Sequence, residues 1–412
     1  MKTLMKKLLL LPGIIFLLGS SLFAQNSWEK KTSFVASKRA RSVAFTIGIR
    51  GYLATGEDTN DVELNDLWEY DPGSDSWTQK ANLPGVGRRD AIGFSIGTKG
   101  YVGTGIDASE AFMGNTLNDF YEYSPVTNTW TTKASYPGSA GGIYFATGFA
   151  VNGKGYVCCG KKGASWYSQE VWEFNPANNS WMQKASFPGG VRYGQCTFVL
   201  NGKAYVGLGT DENWFMNDLW EYNPVNNLWT QKASFPGSAR SFATAFTLGA
   251  KGYMGLGTDG GYRDDVFEYD PVNDSWSVKA PFGGEARRSA PSFVITGAAY
   301  VMTGKGPSGK HRDCWQYRQY VTGTEEQAFA NVDVYPNPAT TVIHFDIDEA
   351  FFASHDQLSI RLISVDGKTV AEKSCESNAH VELQNEGWAP GVYLYSLCDG
   401  THQYGGGRIV VR

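Results

Sequence analysis

At 412 residues, with 42% hydrophobic and 14% aromatic content, the chain has material for two or three domains with substantial cores. A formal net charge of -5 supplies no basic field to neutralise a phosphate backbone, which excludes nucleic acid as an expected partner.

In chain order the first element is a leader. Lys2, Lys6 and Lys7 precede an apolar run from Leu8 to Leu22, the order of a secretory signal peptide, with Ala24 before Gln25 as the expected cleavage point. The run is short for a span of ~20 apolar residues, so residues 1–24 are expected to be removed and the mature protein not to cross a membrane. No cysteine follows the cut to carry a lipid.

From there a repeat dominates. The phrase Gly51-Tyr52-Leu53-Ala54-Thr55-Gly56 returns around Tyr101, Tyr156, Tyr205, Tyr253 and Tyr300, at spacings of 47 to 55 residues. Out of phase with it, Trp68-Glu69-Tyr70 returns as Tyr121-Glu122-Tyr123, Trp172-Glu173-Phe174, Trp220-Glu221-Tyr222, Phe267-Glu268-Tyr269 and Trp315-Gln316-Tyr317. A lone tryptophan follows an Asp/Asn-rich turn at Trp77, Trp130, Trp181, Trp229 and Trp276. Phe45, Phe94, Phe149, Phe198, Phe246 and Phe293 each stand seven residues before a repeat tyrosine, across turns such as Asn201-Gly202-Lys203. Each repeat therefore predicts two hairpins, four antiparallel strands in all, the unit of a propeller blade.

The sixth repeat lacks a lone tryptophan of its own, and Ser27-Trp28-Glu29-Lys30-Lys31 copies Ser76-Trp77-Thr78-Gln79-Lys80. The N-terminal segment is expected to supply the last outer strand, leaving no long sheet edge unpaired. The period, the Tyr-Val-x-x-Gly strand and the downstream tryptophan resemble the kelch family. That resemblance implies an all-β, six-bladed kelch propeller over residues 25–320. The usual Gly-Gly doublet of the family is Thr-Gly, Cys-Gly or Leu-Gly here.

Residues 321–330 read as a polar linker, and residues 331–412 as a small β-sandwich of short alternating strands. The sandwich carries Val334-Tyr335-Pro336-Asn337-Pro338-Ala339, Ile360-Arg361-Leu362 leading to Asp366-Gly367-Lys368, Ala389-Pro390-Gly391-Val392-Tyr393-Leu394-Tyr395, and Gly407-Arg408-Ile409-Val410-Val411-Arg412. In that order, flush with the C-terminus, these pieces are similar to the type A sorting domain of the type IX secretion system. The similarity implies the secretion machinery as a partner and export to the surface of a Gram-negative bacterium or beyond. A carbohydrate-binding or fibronectin-like accessory module is the alternative for this domain.

Six cysteines have no zinc-ligand spacing, and Cys158, Cys159, Cys196 and Cys314 read as small buried hydrophobes; a pairing of Cys375 with Cys398 is open. Of five histidines, His344, His355, His380 and His402 lie in the tail and His311 alone in the propeller. A histidine-built metal centre, a Ser-His-Asp triad or a copper-radical site of the galactose oxidase kind needs more than one, so no metal and no cofactor are expected.

Thirteen residues before each repeat tyrosine stand Arg39, Arg88, Arg192, Arg240 and Arg287, with Ile143 in the third repeat. This column opens the innermost strand, so five guanidinium groups could ring one mouth of the channel. The loops expected on that face vary: they hold Phe112 and Met113, Trp166 and Tyr167, Trp214 and Phe215, Tyr262 and Arg263, then His311 and Arg312. Arginine and aromatic side chains suit an anionic or sugar-like ligand. Asp66, Asp119, Glu170, Asp218, Asp265 and Asp313 repeat in step with the arginines, however, and pairing between blades is the simpler account of any one of them. The acidic loop Asp58–Glu63 offers oxygen ligands for calcium but reads as a solvated loop, lacking a known loop spacing.

Two functions remain. The first is a secreted or surface module that binds a glycan or protein partner. The other is a metal-independent sugar-processing enzyme resembling the kelch-type sialic acid epimerases. No single acid standing outside the repeat frame is evident at the mouth, which favours binding.

Overall fold

The computed structural model describes residues 27–107, 115–138, 141–163, 166–319, 332–347, 352, 358–364, 368–375, 379–385, 387–399 and 403–412. The leader, the linker and the loop residues Phe112 and Met113 lie outside these. The chain divides into two compact units at Tyr320 and Val321. No helix among the described residues is long and apolar enough to cross a membrane.

Among the described residues the first unit holds six four-stranded antiparallel sheets. The opening sheet runs Val43–Ile47, Arg50–Ala54, Leu67–Asp71, Ser76–Lys80 from inside to outside. Innermost strands Val43–Ile47, Ile92–Ile96, Thr147–Val151, Cys196–Leu200, Thr244–Leu248 and Ser292–Ile295 each pack on the next, and the last packs on the first. The result is a closed propeller.

Local sequence explains the blades. Asn201 and Gly202 both sit at positive φ (51° and 70°), the type I′ geometry that matches the twist of a two-residue hairpin. The repeat tyrosine and phenylalanine stack across that hairpin, 4.9 Å apart for Tyr205 and Phe198. The lone tryptophans tie each sheet to the one before: Trp229 Nε1 donates to the Ala185 carbonyl at 3.0 Å and Trp276 to Ala233 at 2.9 Å. The turn residue Asn227 adds a second tie, its Oδ1 accepting from Tyr222 Oη at 2.8 Å and from the Ala185 amide at 3.0 Å.

The last sheet is completed from the other end of the chain. Ser27–Lys31 pairs antiparallel with Cys314–Arg318, with Trp28 opposite Tyr317. Trp28 donates to the Ala280 carbonyl at 3.3 Å and meets Phe282 edge-on at 4.9 Å, the role the lone tryptophans play elsewhere.

The departure from the Gly-Gly doublet has a structural counterpart. Thr55, Thr104, Cys159, Leu208, Leu256 and Thr303 all hold φ between 53° and 61°, a left-handed conformation unfavourable for side chains with a Cβ. The hydroxyls of Thr55, Thr104 and Thr303 are also buried without a hydrogen bond. Thr104→Gly should therefore raise stability by about 1 kcal/mol, read as a higher melting temperature, because relief of strain and of an unsatisfied hydroxyl outweighs the glycine entropy.

The second unit is a two-sheet sandwich. Val332–Tyr335, Val342–Ile347 and His380–Gln384 form one sheet; Thr369–Ser374, Ser359–Ser364, Gly391–Cys398 and Gln403–Val411 form the other. Alternate residues such as Ile343, Phe345, Val381, Ile360, Leu397 and Ile409 fill the space between them. All six cysteines are free. Cys375 and Cys398 do not pair, because the strand Ser359–Ser364 lies between theirs: Ser359 faces Cys398 on one side and Ser374, next to Cys375, on the other. Two strand spacings amount to roughly 9–10 Å, beyond disulfide reach.

Candidate functional site

The repeating arginines are the first correction. Arg39, Arg88, Arg192, Arg240 and Arg287 are at most 1% exposed. Arg192 holds Asp218 in a two-point grip at 2.5 and 3.0 Å and donates to the Leu208 carbonyl at 3.1 Å. Arg39 with Asp66, Arg88 with Asp119, Arg240 with Asp265 and Arg287 with Asp313 repeat the arrangement. The guanidinium of Arg192 lies 4.7 Å from the Phe187 ring. Gly189 leaves room for it, since a Cβ there would fall 2.6 Å from Nη2. In four sheets the first member of the aromatic triplet steadies the same aspartate, as when Trp220 Nε1 donates to Asp218 at 2.8 Å.

These ion pairs lie within one repeat, not between blades. The arginine adds a tie between blades through its backbone: its carbonyl accepts from the positive-φ glycine of the preceding sheet, Gly160 to Arg192 at 2.9 Å and Gly209 to Arg240 at 2.8 Å. Ile143 takes the same bond from Gly105 at 2.8 Å without needing an arginine. None of the five guanidinium groups is available to a ligand.

The mouth is built by the next two residues. Two positions after each arginine, or after Ile143, stand Arg41, Asp90, Phe145, Gly194, Phe242 and Ser289, all with φ between 53° and 65°. Each donates its amide to the carbonyl of the one before, at 2.7 to 3.3 Å, and Arg41 completes the circuit by donating to Ser289. The six residues surround a cavity of about 170 Å³ on the channel axis.

Asp90 is the acid that the sequence reading passed over. It is 8% exposed and sits between Arg41 Nη1 at 3.5 Å and Arg89 Nε at 3.6 Å. Burial pushes its carboxyl up to about 7, against the pull of the two arginines, so near neutral pH it both holds and releases a proton. Glu57 backs the cluster, 3.7 Å from Arg41, 3.3 Å from Arg89 and 2.7 Å from Lys310. In the acidic loop, Asp61 pairs with Lys310 at 2.8 Å and Glu63 with Arg89, while Asp58 Oδ1 accepts from the Asn60 and Val62 amides.

Beside this floor a second cavity, of about 350 Å³, is lined by Tyr193, Phe215, Phe242, Tyr262, Glu212 and Arg288 among others. Arg288 lies over Phe242 at 5.6 Å and has no carboxylate within ion-pair distance among the described residues. The variable loops thus bring Phe215 and Tyr262 to the cavity, and Tyr167 stacks on its Tyr193 wall at 5.5 Å. Trp166 and Trp214 are 74% and 73% exposed and line neither cavity. The signal for the missed residues was present: in register with the repeat, this column changes chemistry from blade to blade while its backbone stays the same.

The class of protein follows from fold and tail together: an all-β propeller joined to an export domain. Residues 333–412 match the secretion system C-terminal sorting domain, which sends the chain by type IX secretion to the surface of a Gram-negative bacterium or beyond. The solved structure of YjhT matches the propeller with a TM-score of 0.63 at 15% identity, over 71% of this chain and 98% of that one. N-acetylneuraminate epimerases of Escherichia coli O9:H4 (strain HS) and Shigella boydii serotype 4 (strain Sb227) are 38% and 36% identical over 88 residues, 20% of this chain. The matched segment spans only 23% of the length of those enzymes.

Proposed function

We propose that the exported propeller binds a sugar acid at the ring mouth, its carboxylate on Arg288 and its ring against Phe215, Phe242 and Tyr262. The observation that carries this reading is an arginine with no carboxylate in ion-pair range among the described residues, set in an aromatic-walled cavity. The name of the partial relatives supports the ligand class.

A second reading rests on Asp90. A carboxyl poised near neutrality at the floor of the same mouth suits proton transfer to and from a sugar hydroxyl, the chemistry of opening and closing the ring at its anomeric carbon. In the full-length protein, Arg288→Ala should weaken N-acetylneuraminate binding at least tenfold and remove its salt dependence, measured by calorimetry. Asp90→Asn should leave that affinity within a few-fold and slow anomer exchange, followed by NMR, by roughly 10²–10⁴. Unchanged affinity in the Arg288 variant sinks the binding site; equal exchange rates with and without protein leave binding as the sole role.

A further inference from the structure

We propose that the C-terminal sandwich carries a zinc site made by His344, His380 and Glu382, on the solvent face of its three-stranded sheet. The expectation of a metal-free chain rests on the single propeller histidine and passes over the tail.

The site follows from register. His344 lies directly opposite Glu382, and Asp346 opposite His380. Because side chains alternate along a strand, these four share one face, while Ile343, Phe345, Val381 and Leu383 turn to the core. His344 Nδ1 is 3.4 Å from His380 Nε2 and 3.2 Å from Glu382 Oε1, and His380 Nε2 is 3.4 Å from that oxygen. A tetrahedral zinc with bonds of ~2.0–2.1 Å has ligand-to-ligand edges of about 3.3 Å, so the three atoms outline one face of such a centre. Two imidazoles and a carboxylate suit zinc, and solvent water can take the fourth position.

The surroundings are those of a held ligand set. His380 Nδ1 hydrogen-bonds to Asp346 Oδ1, which turns Nε2 toward the other two atoms and favours the tautomer protonated at Nδ1, in which Nε2 can ligate a metal. Tyr335 in turn donates to Asp346 Oδ2 at 2.7 Å, and its ring stacks on His344 at 5.2 Å. A carboxylate behind a histidine, itself held by a tyrosine, fixes ring orientation before any ion arrives.

The test uses the untagged full-length chain, stripped with a chelator and titrated with zinc against a chromophoric competitor. One equivalent should bind in the parent and be lost in His344→Gln/His380→Gln. Asp346→Asn, which touches no metal, should weaken binding by about 10–100-fold, and cobalt substitution should give the visible absorption of a tetrahedral site. Glu382→Gln, at an exposed position, provides a milder variant whose fold can be verified by its melting curve, and it too should weaken zinc. No uptake by the parent, or one equivalent retained by the double variant or held as tightly by Glu382→Gln, overturns the proposal.

Discussion

Replacing Arg192 or Arg240 by alanine will cost the propeller about 3–5 kcal/mol and leave the affinity for an acidic sugar unchanged. Truncation strands Asp218 or Asp265 without its cation, leaves a backbone carbonyl without its donor, and opens a void beneath Phe187 or Phe235. Asp218 and Asp265 keep 20% and 35% side-chain exposure, so water recovers part of the loss and the lower end of the range is expected. Denaturant melts of the two variants beside Arg288→Ala separate the roles. The clamp variants lose stability, and the mouth variant loses binding. Weaker binding with an unchanged melt at Arg192 would mean that the guanidinium reaches the ligand after all.

Deleting residues 27–34 will have a larger effect. It removes Trp28 from the contact with Phe282 and Tyr317, removes the fully buried Phe34, and leaves Cys314–Arg318 as a bare strand edge. Each large aromatic lost from a core costs roughly 3–5 kcal/mol, and a domain is stable by only about 5–15, so the shortened chain should fail to fold or should aggregate. Supplying the segment as a separate peptide should recover soluble protein. A deletion that melts at the parent temperature would show that the last sheet holds without its outer strand.

Much of this fold was legible because the repeat writes the same physics six times. Trp28 matched Trp77 in the sequence, and both tryptophans use Nε1 to reach a carbonyl of the preceding segment. The candidate site was less legible for the same reason. Constancy drew attention to the arginine column, and what a propeller keeps constant is what it needs to stand: buried charge, an aromatic lid, a glycine for clearance. Asp90 lies two residues and Arg288 one residue past that column, in register with the repeat but at positions where the residue type changes from blade to blade. Their significance comes from closure, which brings residues as far apart as Arg41 and Ser289 to one rim. The metal-ligand geometry in the tail was hidden differently, since strand register and not spacing along the chain sets His344 beside Glu382.

The circuit of amides around the mouth sets the terms on which this protein can change its ligand. All six links are backbone to backbone, so no side chain at positions 41, 90, 145, 194, 242 or 289 is needed to hold them. Arginine, aspartate, phenylalanine, glycine and serine already occupy the same left-handed turn. The rim therefore behaves as a set of settings on a rigid dial, except at Gly194, where a Cβ would fall 2.9 Å from the Phe242 ring, and at Asp90, which is held by Arg41 and Arg89. At the other positions substitutions trade one chemical preference for another without touching the backbone links. Selection can reassign such a surface one residue at a time, and an engineer can do the same with asparagine or glycine, which enter that turn at least strain.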